Sequence, residues 1–298
     1  MTILVIGGTG IVGSFVTARL AEEGLPVRCM SRWQANIESL PDGVEGRIGD
    51  LNKPATLRPV FAGVEKVFLI TPLSQNETLQ GIAAVDAAKA AGVKKLVYMS
   101  VPMPPGSSHI PHFRSKVPIE EAVRDSGITH TLLRPNNLFQ NDHWCQAAIM
   151  LYHTYPQPIG RVGMNRVDAR DVADAAVNAL LHSEHDGQDY AIHGAVTFTG
   201  DDVAAVFGRH LKEDVRYGGD DLDAWTKQAQ HMMPAWMVQD LRIMYEYFQQ
   251  HGLVATDAEL ARQQQVVGHP PRAFDTYVDE IIPAWRKHLQ EGTHYRPT

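Results

Sequence analysis

Cysteine is scarce in this chain, which limits how the fold can be stabilised. The 298 residues include 2 cysteines, Cys29 and Cys145. Two thiols are too few for a disulfide framework, and they stand too far apart for a zinc knuckle, so a reducing compartment fits best. We therefore expect a cytoplasmic protein that is stabilised by a hydrophobic core, for which 44% hydrophobic residues are sufficient.

Long runs of one residue class are missing as well. No basic run exceeds Lys94–Lys95, and 27 Lys and Arg face 34 Asp and Glu, which disfavours nucleic acid or an anionic membrane as a partner. Gly, Pro or a charged residue interrupts each apolar stretch before it reaches about 18 residues, so we expect no membrane segment. The G-x-S-x-G elbow of serine hydrolases is also absent.

The first half of the chain alternates short β-rich runs with alanine-rich helical runs. The first β-rich run leads directly into glycines and so indicates a strand rather than a signal peptide. Alternation of this kind is typical of a parallel sheet with helices on both faces. The predicted strands are 3–6, 27–30, 46–48, 66–70, 95–99, 129–133 and 189–192, and the predicted helices are 15–23, 54–61, 77–91, 115–126, 172–181 and 201–210.

The second half is mostly helical and, from residue 222 onward, rich in Met, Trp and Tyr. The sequence therefore predicts an α/β fold with a doubly wound parallel sheet in residues 1–150, which also takes up part of 165–195. Residues 151–298 are expected to form a smaller, mainly helical lobe that covers a substrate.

A glycine-rich segment, G-G-T-G-I-V-G at residues 7–13, stands between the first strand and the first helix. Gly7 permits a tight turn, Gly10 lets the backbone approach phosphates, and Gly13 allows the helix to pack closely. The N-terminus of the helix offers free N–H groups to a pyrophosphate. The pattern predicts a dinucleotide site that includes Gly7, Thr9, Gly10, Ile11, Val12 and Gly13.

No acidic residue follows the second strand, where an NAD-binding fold places the carboxylate that holds the ribose 2′-OH. The segment reads Met30-Ser31-Arg32-Trp33. An arginine here can bind a 2′-phosphate through charge-assisted hydrogen bonds. We therefore expect NADP(H) as cofactor, bound by Ser31 and Arg32, with Arg32 or Trp33 beside the adenine. The alternative for Arg32 is a simple surface cation.

Seven motifs along the chain carry a family resemblance. They are G-G-T-G-I-V-G at 7–13, G-D-L at 49–51, D-A-A-K-A-A-G-V-K-K-L-V-Y-M-S at 86–100, H-F-R-S-K at 112–116, S-G-I-T-H-T-L-L-R-P at 126–135, V-D-A-R-D-V-A at 167–173 and V-V-G-H-P-P-R at 266–272. Together they resemble the NmrA-like atypical short-chain dehydrogenase/reductase family. The resemblance implies a Rossmann fold. It also implies either an NAD(P)H-dependent reductase of quinones, azo dyes or triphenylmethane dyes, or a redox-sensing regulator that binds the cofactor without turnover.

The resemblance also implies roles for single positions. Contacts with the cofactor are implied for Asp50, Leu51, Ile70, Thr71, Pro72 and Ser100. Ordinary short-chain dehydrogenases carry Tyr-x-x-x-Lys, in which the tyrosine is the acid and the lysine holds the nicotinamide ribose. This chain has His112-x-x-x-Lys116 instead. Lys116 is expected to bind the ribose, the alternative being a solvated cation on a helix.

The missing tyrosine favours acceptors that take up hydride readily. A quinone, an azo bond or a cationic dye needs less help from an acid than a ketone does, so orientation and a dry apolar pocket become the main requirements. His112 could still donate a proton, because histidine titrates closest to neutrality. Alternatively, it bonds the ribose or the backbone.

The remaining candidates surround the expected acceptor, a small aromatic molecule. Pro135 and Asn136 follow the sixth strand at the carboxyl edge of the sheet, where we expect the cofactor. Asn137 and Phe139 are candidates beside the substrate, although Phe139 is equally compatible with the core. Trp236 belongs to a Met and aromatic stripe that either lines a pocket or is core.

No metal site is predicted from the spacing of the histidines. His109 with His112, and His182 with His185, are three residues apart, but neither pair is followed by a third ligand at a recognisable spacing. The acidic residues Asp168, Asp171 and Asp174 are expected to cap and solvate a helix. The chain is expected to be a monomer or a homodimer.

Overall fold

The computed structural model describes residues 1–291. The strands are β1 (Thr2–Ile6), β2 (Val27–Ser31), β3 (Glu45–Ile48), β4 (Val64–Ile70), β5 (Lys95–Met99), β6 (Thr129–Pro135), β7 (Thr154–Tyr155), β8 (Gln188–Ile192) and β9 (Arg216–Tyr217). The helices are α1 (Ile11–Glu22), α2 (Gln34–Glu38), α3 (Leu57–Phe61), α4 (Glu77–Ala90), α5 (Pro111–Arg114), α6 (Val117–Asp125), α7 (Gln146–Tyr152), α8 (Ala169–Leu181), α9 (Gly200–Leu211), α10 (Leu222–Ala229), α11 (Ala235–His251), α12 (Asp257–Val267) and α13 (Phe274–Gln290). Short 3₁₀ helices cover Pro54–Thr56, Ser107–His109, Phe139–Cys145 and Ser183–His185.

Seven strands form one parallel sheet in the order β3-β2-β1-β4-β5-β6-β8. The chain moves outward in one direction from β1 to β3 and then returns to the other side of β1 with β4. Its crossover helices therefore lie on opposite faces of the sheet, and a crevice opens between the carboxyl ends of β1 and β4. The predicted doubly wound Rossmann sheet is confirmed.

The sheet is buried on both faces, which explains why its central strands are nearly continuous apolar runs. One face packs against α1 and α8 through side chains such as Val16, Leu20 and Val172. The other face packs against α3, α4 and α6 through side chains such as Phe61 and Ile119. These two layers hold the carboxyl ends of the strands in place.

A third apolar cluster lies in the part of the chain that was expected to cover the substrate. It includes most of the aromatic side chains of α9, α11 and α13, and Trp285 stacks on Phe207 with their ring centroids 5.8 Å apart. Met244, Tyr245 and Phe248 are buried in it. The predicted Met and aromatic stripe is therefore divided: its second half is core, whereas Met232 is exposed and Trp236 lies outside the cluster.

The chain after residue 150 also returns to the sheet. Strand β8 pairs with β6, α8 packs against α1, and α12 packs against both α8 and β8. The contribution of α12 was not anticipated from the sequence, and the proposed boundary near residue 150 remains a prediction. Within residues 1–291, no helix has the length and apolar character needed to cross a bilayer.

Candidate functional site

A cleft of about 460 Å³ opens at the carboxyl ends of β1, β2 and β4, where the strand order of the sheet reverses. Its walls combine the glycine-rich turn, the end of β2 and the end of β4. Among the predicted site residues it is lined by Gly7, Thr9, Gly10, Ile11, Val12, Ser31, Arg32, Asp50, Leu51, Ile70, Thr71 and Pro72. The structure therefore brings together residues from four separate stretches of the sequence, the fourth being Asp50 and Leu51 after β3.

The cleft also contains residues that sequence reasoning missed. Asn36 and Gln80 carry polar side chains, and Met99 and Leu138 carry apolar ones. Asn36 and Gln80 lie in the first turns of the helices that follow β2 and β4. Their place in the sequence could have identified them as site candidates, because the first turn of a helix that follows a parallel strand lies at the edge of the sheet where ligands bind.

The glycine-rich turn packs tightly at Gly7 and Gly13, where an added Cβ would lie closer than 3.0 Å to neighbouring atoms. Gly7 has φ +84°, and a Cβ on Gly13 would lie 2.1 Å from the carbonyl oxygen of Gly7. Gly13 therefore packs helix α1 against the turn instead of lining the cleft. Gly10 caps α1 without a side-chain hydrogen bond, so the first N–H groups of the helix remain available to an anion.

A cation and an aromatic ring lie together at the end of β2. The Arg32 guanidinium lies 5.9 Å from the centroid of the Trp33 ring, and the Trp33 side chain is exposed. Among residues 1–291, no carboxylate lies within ion-pair distance of Arg32. The hydroxyl of Ser31 accepts a hydrogen bond of 3.1 Å from the Trp33 backbone N–H, which holds it at the cleft wall. This part of the cleft is suited to a phosphate next to a flat ring.

Lys116 lies beneath the cleft in a buried ion pair. Its Nζ pairs with Glu77 Oε1 and lies 3.3 Å from Thr71 Oγ1. Glu77, which is 1% exposed, also accepts hydrogen bonds of 2.7 Å from the hydroxyls of Thr71 and Ser115. Lys116 is 8% exposed, so the alternative of a solvated cation is wrong. Its connection to the cleft runs through Thr71.

Glu77 is the most important residue of this network that sequence reasoning missed. It stands in the first turn of α4, where an acidic residue ordinarily indicates only a favourable helix dipole. Its partner Lys116 is 39 residues away in sequence. A charge buried to this extent requires a partner of opposite sign, so Glu77 and Lys116 depend on each other.

A second pocket, of about 530 Å³, contains His112, the predicted proton donor. His112 and Trp236 both line it, together with Asp240, Arg114 and Ser115. The Nδ1 atom of His112 lies 2.5 Å from Asp240 Oδ1. The structure therefore brings His112 and Trp236 together across 124 positions of sequence and adds a carboxylate that was not predicted.

Five further predicted residues line neither of these two cavities. Ser100 is fully buried at the end of β5, and Pro135 ends β6. The Asn136 amide donates to the carbonyl oxygen of Leu253 over 2.8 Å. The Asn137 side-chain oxygen accepts a hydrogen bond of 3.2 Å from the Arg166 guanidinium. The assigned roles of Ser100, Pro135, Asn136 and Asn137 remain predictions.

The fifth of these residues, Phe139, belongs to the core. It is 1% exposed and packs against the rings of Phe274 and Tyr277, at centroid distances of 4.9 and 5.6 Å. The expected contact between Phe139 and a substrate is therefore not supported by its position, and the core alternative describes it.

A fully buried ion pair holds the segment after β6, next to the cleft. The Arg166 guanidinium donates to both carboxylate oxygens of Asp142, at 3.0 and 2.9 Å, and to the carbonyl oxygen of Leu138 at 3.1 Å. Burial raises the pKa of the Asp142 carboxyl, an effect that the Arg166 charge opposes. Because Leu138 lines the cleft, this pair fixes part of the cleft wall.

The acidic residues of α8 differ in their roles. Asp168 caps the helix by accepting a hydrogen bond of 2.8 Å from the Arg170 N–H, as expected. Asp168, Asp171 and Asp174 are all buried, so the expectation that they are solvated is wrong for each of the three.

Asp171 and Asp174 lie close enough to His269 for the three to form a potential metal-binding group. However, Arg272 pairs with both carboxylates, and Arg19 approaches Asp174 to 2.7 Å. Two arginines therefore compensate this cluster, which does not need a cation for charge balance.

Comparison with known proteins agrees with the geometry of the cleft. The model of the NmrA-like family matches residues 1–278. The chain is 32% identical over 274 residues to the NAD(P)H azoreductase of Xenophilus azovorans, which covers 91% of this chain and 95% of that protein. It is 28% identical over 222 residues to quinone oxidoreductase 2 of Escherichia coli (strain K12), covering 72% and 76% of the two chains.

The structural comparison gives the same fold over almost the whole chain. The Citrobacter sp. triphenylmethane reductase complexed with NADP(H) matches with a TM-score of 0.82 at 23% identity, covering 94% of this chain and 100% of that one. Together with the match to the family model over residues 1–278, the seven motifs and the glycine-rich cleft lead to one conclusion: this chain belongs to the NmrA-like family.

Proposed function

We propose that this chain is an NADPH-dependent reductase that transfers hydride to a conjugated acceptor, such as a quinone, an azo compound or a related aromatic molecule. The observation that carries the proposal is the cleft at the switch point of the sheet. It is lined by the N-terminus of α1, which has no side-chain cap, and by Arg32, which forms no ion pair within residues 1–291. The names of two relatives, an azoreductase and a quinone oxidoreductase, support the choice of acceptor.

The residues of the cleft fit a phosphorylated dinucleotide. The N–H groups of the first turn of α1 would hold the pyrophosphate, and the tight contact of Gly13 with Gly7 keeps that helix end close to the turn. Ser31 and Arg32 would bind the 2′-phosphate, with the Trp33 ring beside the adenine. When bound, NADPH supplies the hydride from its nicotinamide ring.

The Lys116 ammonium group has one N–H donor left for a ligand. A lysine ammonium has three N–H donors, and Glu77 and Thr71 provide acceptors for two of them. We assign the third to a hydroxyl of the nicotinamide ribose. Glu77 would then do two things: it compensates the buried charge of Lys116 and holds its Nζ at one place below the cleft.

His112 and Trp236 are assigned to the acceptor. The ring of Trp236 offers a flat apolar surface in the second pocket, and His112 is the candidate proton donor there. Asn137 is kept as a candidate next to the substrate, and Ser100, Pro135 and Asn136 as candidates that shape the cofactor side of the sheet edge. We place the protein in the cytoplasm as a monomer or a homodimer.

The test is the oxidation of NADPH, with NADH compared in parallel, in the presence of a panel of quinones, azo dyes and triphenylmethane dyes. We expect turnover with at least one class and a clear preference for NADPH. Binding of NADPH without turnover on any acceptor would contradict the reductase and support the alternative from the sequence, a redox sensor that binds NADP and signals through a partner protein.

A further inference from the structure

His112 is fixed by a carboxylate from a distant part of the chain. Helix α5 carries His112 and α11 carries Asp240, 128 residues later. Asp240 Oδ1 lies 2.5 Å from the His112 ring Nδ1 and 3.4 Å from the His112 backbone N. Since a carboxylate can only accept, Nδ1–H donates to Asp240 and the other ring nitrogen, Nε2, is directed away from it.

The surroundings of the pair contain few other charges. The side chains of His112 and Asp240 are 12% and 6% exposed. Arg114 on α5 lines the same pocket. Within residues 1–291, Arg114 has no carboxylate within ion-pair distance, and the only basic side chain at that distance from Asp240 is His112. On the far side of Ser115, Glu77 and Lys116 compensate each other. Asp240 is therefore a buried carboxylate whose hydrogen-bond partner is the ring of His112.

The pocket with this pair lies beside the cleft. Residues 71–80 separate the two: Thr71, Pro72 and Gln80 line the cleft, whereas Ser74 and Thr78 line the pocket. Ser74 Oγ donates to Gln80 Oε1 over 2.8 Å, which joins the two walls. The pair therefore lies on the side of the cleft that is formed by the end of β4 and the start of α4.

The acceptor classes differ in their need for a proton. Hydride addition to a neutral quinone places two electrons on the ring and gives a hydroquinone anion, whose oxygen must then gain one proton. Hydride addition to a cationic triphenylmethane dye forms a C–H bond at the central carbon and gives a neutral product, so no proton is consumed. A proton donor consequently assists only the first reaction.

We propose that Asp240 is a positioning residue that orients His112 as the proton donor for neutral acceptors such as quinones. The inference rests on the proposed reductase function. The proton leaves His112 Nε2 for the anionic oxygen, Nδ1–H stays bonded to Asp240, and water in the pocket returns a proton to Nε2. A carboxylate on the opposite ring nitrogen orients an imidazole and stabilises its cationic form, and Asp240 has this position relative to His112.

The test compares two acceptors in three variants. Menadione serves as the neutral quinone and malachite green as the cationic dye, each with saturating NADPH. We expect His112→Gln to lower kcat for menadione about 100-fold and Asp240→Asn to lower it about tenfold or more, because a positioned general acid contributes factors of this size. For malachite green both variants should stay within about twofold of the wild type. Glu246→Gln, an exposed carboxylate on the same helix, is the matched control and should change neither rate.

A second measurement does not depend on turnover. In the full chain without cofactor, nitrogen-15 NMR of labelled histidine reports which ring nitrogen carries the proton, and His112→Gln identifies the His112 signals. We expect Asp240→Asn to shift both ring resonances of His112 and Glu246→Gln to leave them in place. Unchanged resonances in Asp240→Asn would overturn the assigned pair, whatever the kinetics.

The outcomes separate this inference from the proposed function. If the wild type oxidises NADPH with neither of these two acceptors nor any other member of the panel, the reductase proposal fails and this inference fails with it. If the wild type is active but Asp240→Asn slows both acceptors equally, or slows neither, only the role of Asp240 is refuted. A loss confined to menadione supports it, because a general loss of folding would slow the dye reaction too.

Discussion

The arginine at the end of β2 offers the sharpest test of the cofactor site. Arg32 lies on the cleft wall without an ion-pair partner among residues 1–291, and we assign it to the 2′-phosphate that distinguishes NADPH from NADH. Replacing Arg32 with alanine should therefore weaken NADPH binding and leave NADH binding unchanged. The two cofactors differ only at the group that Arg32 is proposed to contact.

The size of the effect follows from the exposure of the side chain. A hydrogen bond to a charged group contributes about 1.5–3 kcal/mol. Arg32 is exposed, so solvent screening favours the lower end, and about 1.5–2 kcal/mol corresponds to a 10–30-fold increase in Kd. The same screening predicts that the difference between wild type and variant shrinks as the salt concentration rises.

Isothermal titration calorimetry of NADPH and NADH with the wild type and Arg32→Ala provides the measurement. Arg58→Ala is the matched control, since Arg58 is an exposed arginine outside the cleft. An NADPH affinity equal to that of the wild type would refute the reasoning and leave Arg32 as a surface cation. An equal loss for NADH would place its contact on a part shared by both cofactors.

Two further predictions concern stability. Replacing Arg166 with methionine leaves Asp142 buried without its partner and should lower the free energy of unfolding, measured by urea titration, by about 3–5 kcal/mol. Adding Asp142→Asn to that variant should recover part of the loss. Equal stability of the single variant and the wild type would contradict the role of the pair. Burial lowers the pKa of His143 to about 4, and its Nδ1 accepts a hydrogen bond from Trp285 Nε1. The unfolded chain therefore binds this proton more readily, so stability is present above the ordinary histidine pKa of about 6.5 and falls by about 2–3 kcal/mol as the pH drops towards 4. Thermal unfolding of His143→Gln between pH 7.5 and 4.5 should show a weaker dependence on pH than wild type, and an unchanged dependence would assign the effect to other groups.

Much of the fold followed from local patterns in the sequence. The predicted strand 95–99 agrees with β5, and the start of β4 and the end of β6 were each missed by two residues. Buried parallel strands are short apolar runs bounded by turns, and that pattern is local. Helix α1 begins at Ile11, four residues before the helical body predicted at 15–23, and its Gly13 packs closely against the glycine-rich turn.

The sequence by itself determined the α/β class, the glycine-rich turn and the missing acid after β2, since each of these is a property of adjacent residues. Only the tertiary structure decided which charges meet. Glu77 and Lys116 are 39 residues apart, and His112 and Asp240 are 128 apart. The partner of a buried charge depends on the order of strands and the packing of helices, so neither pairing leaves a periodic signal along the chain. For that reason His112 and Lys116 were found as candidates, while the carboxylates that hold them were not.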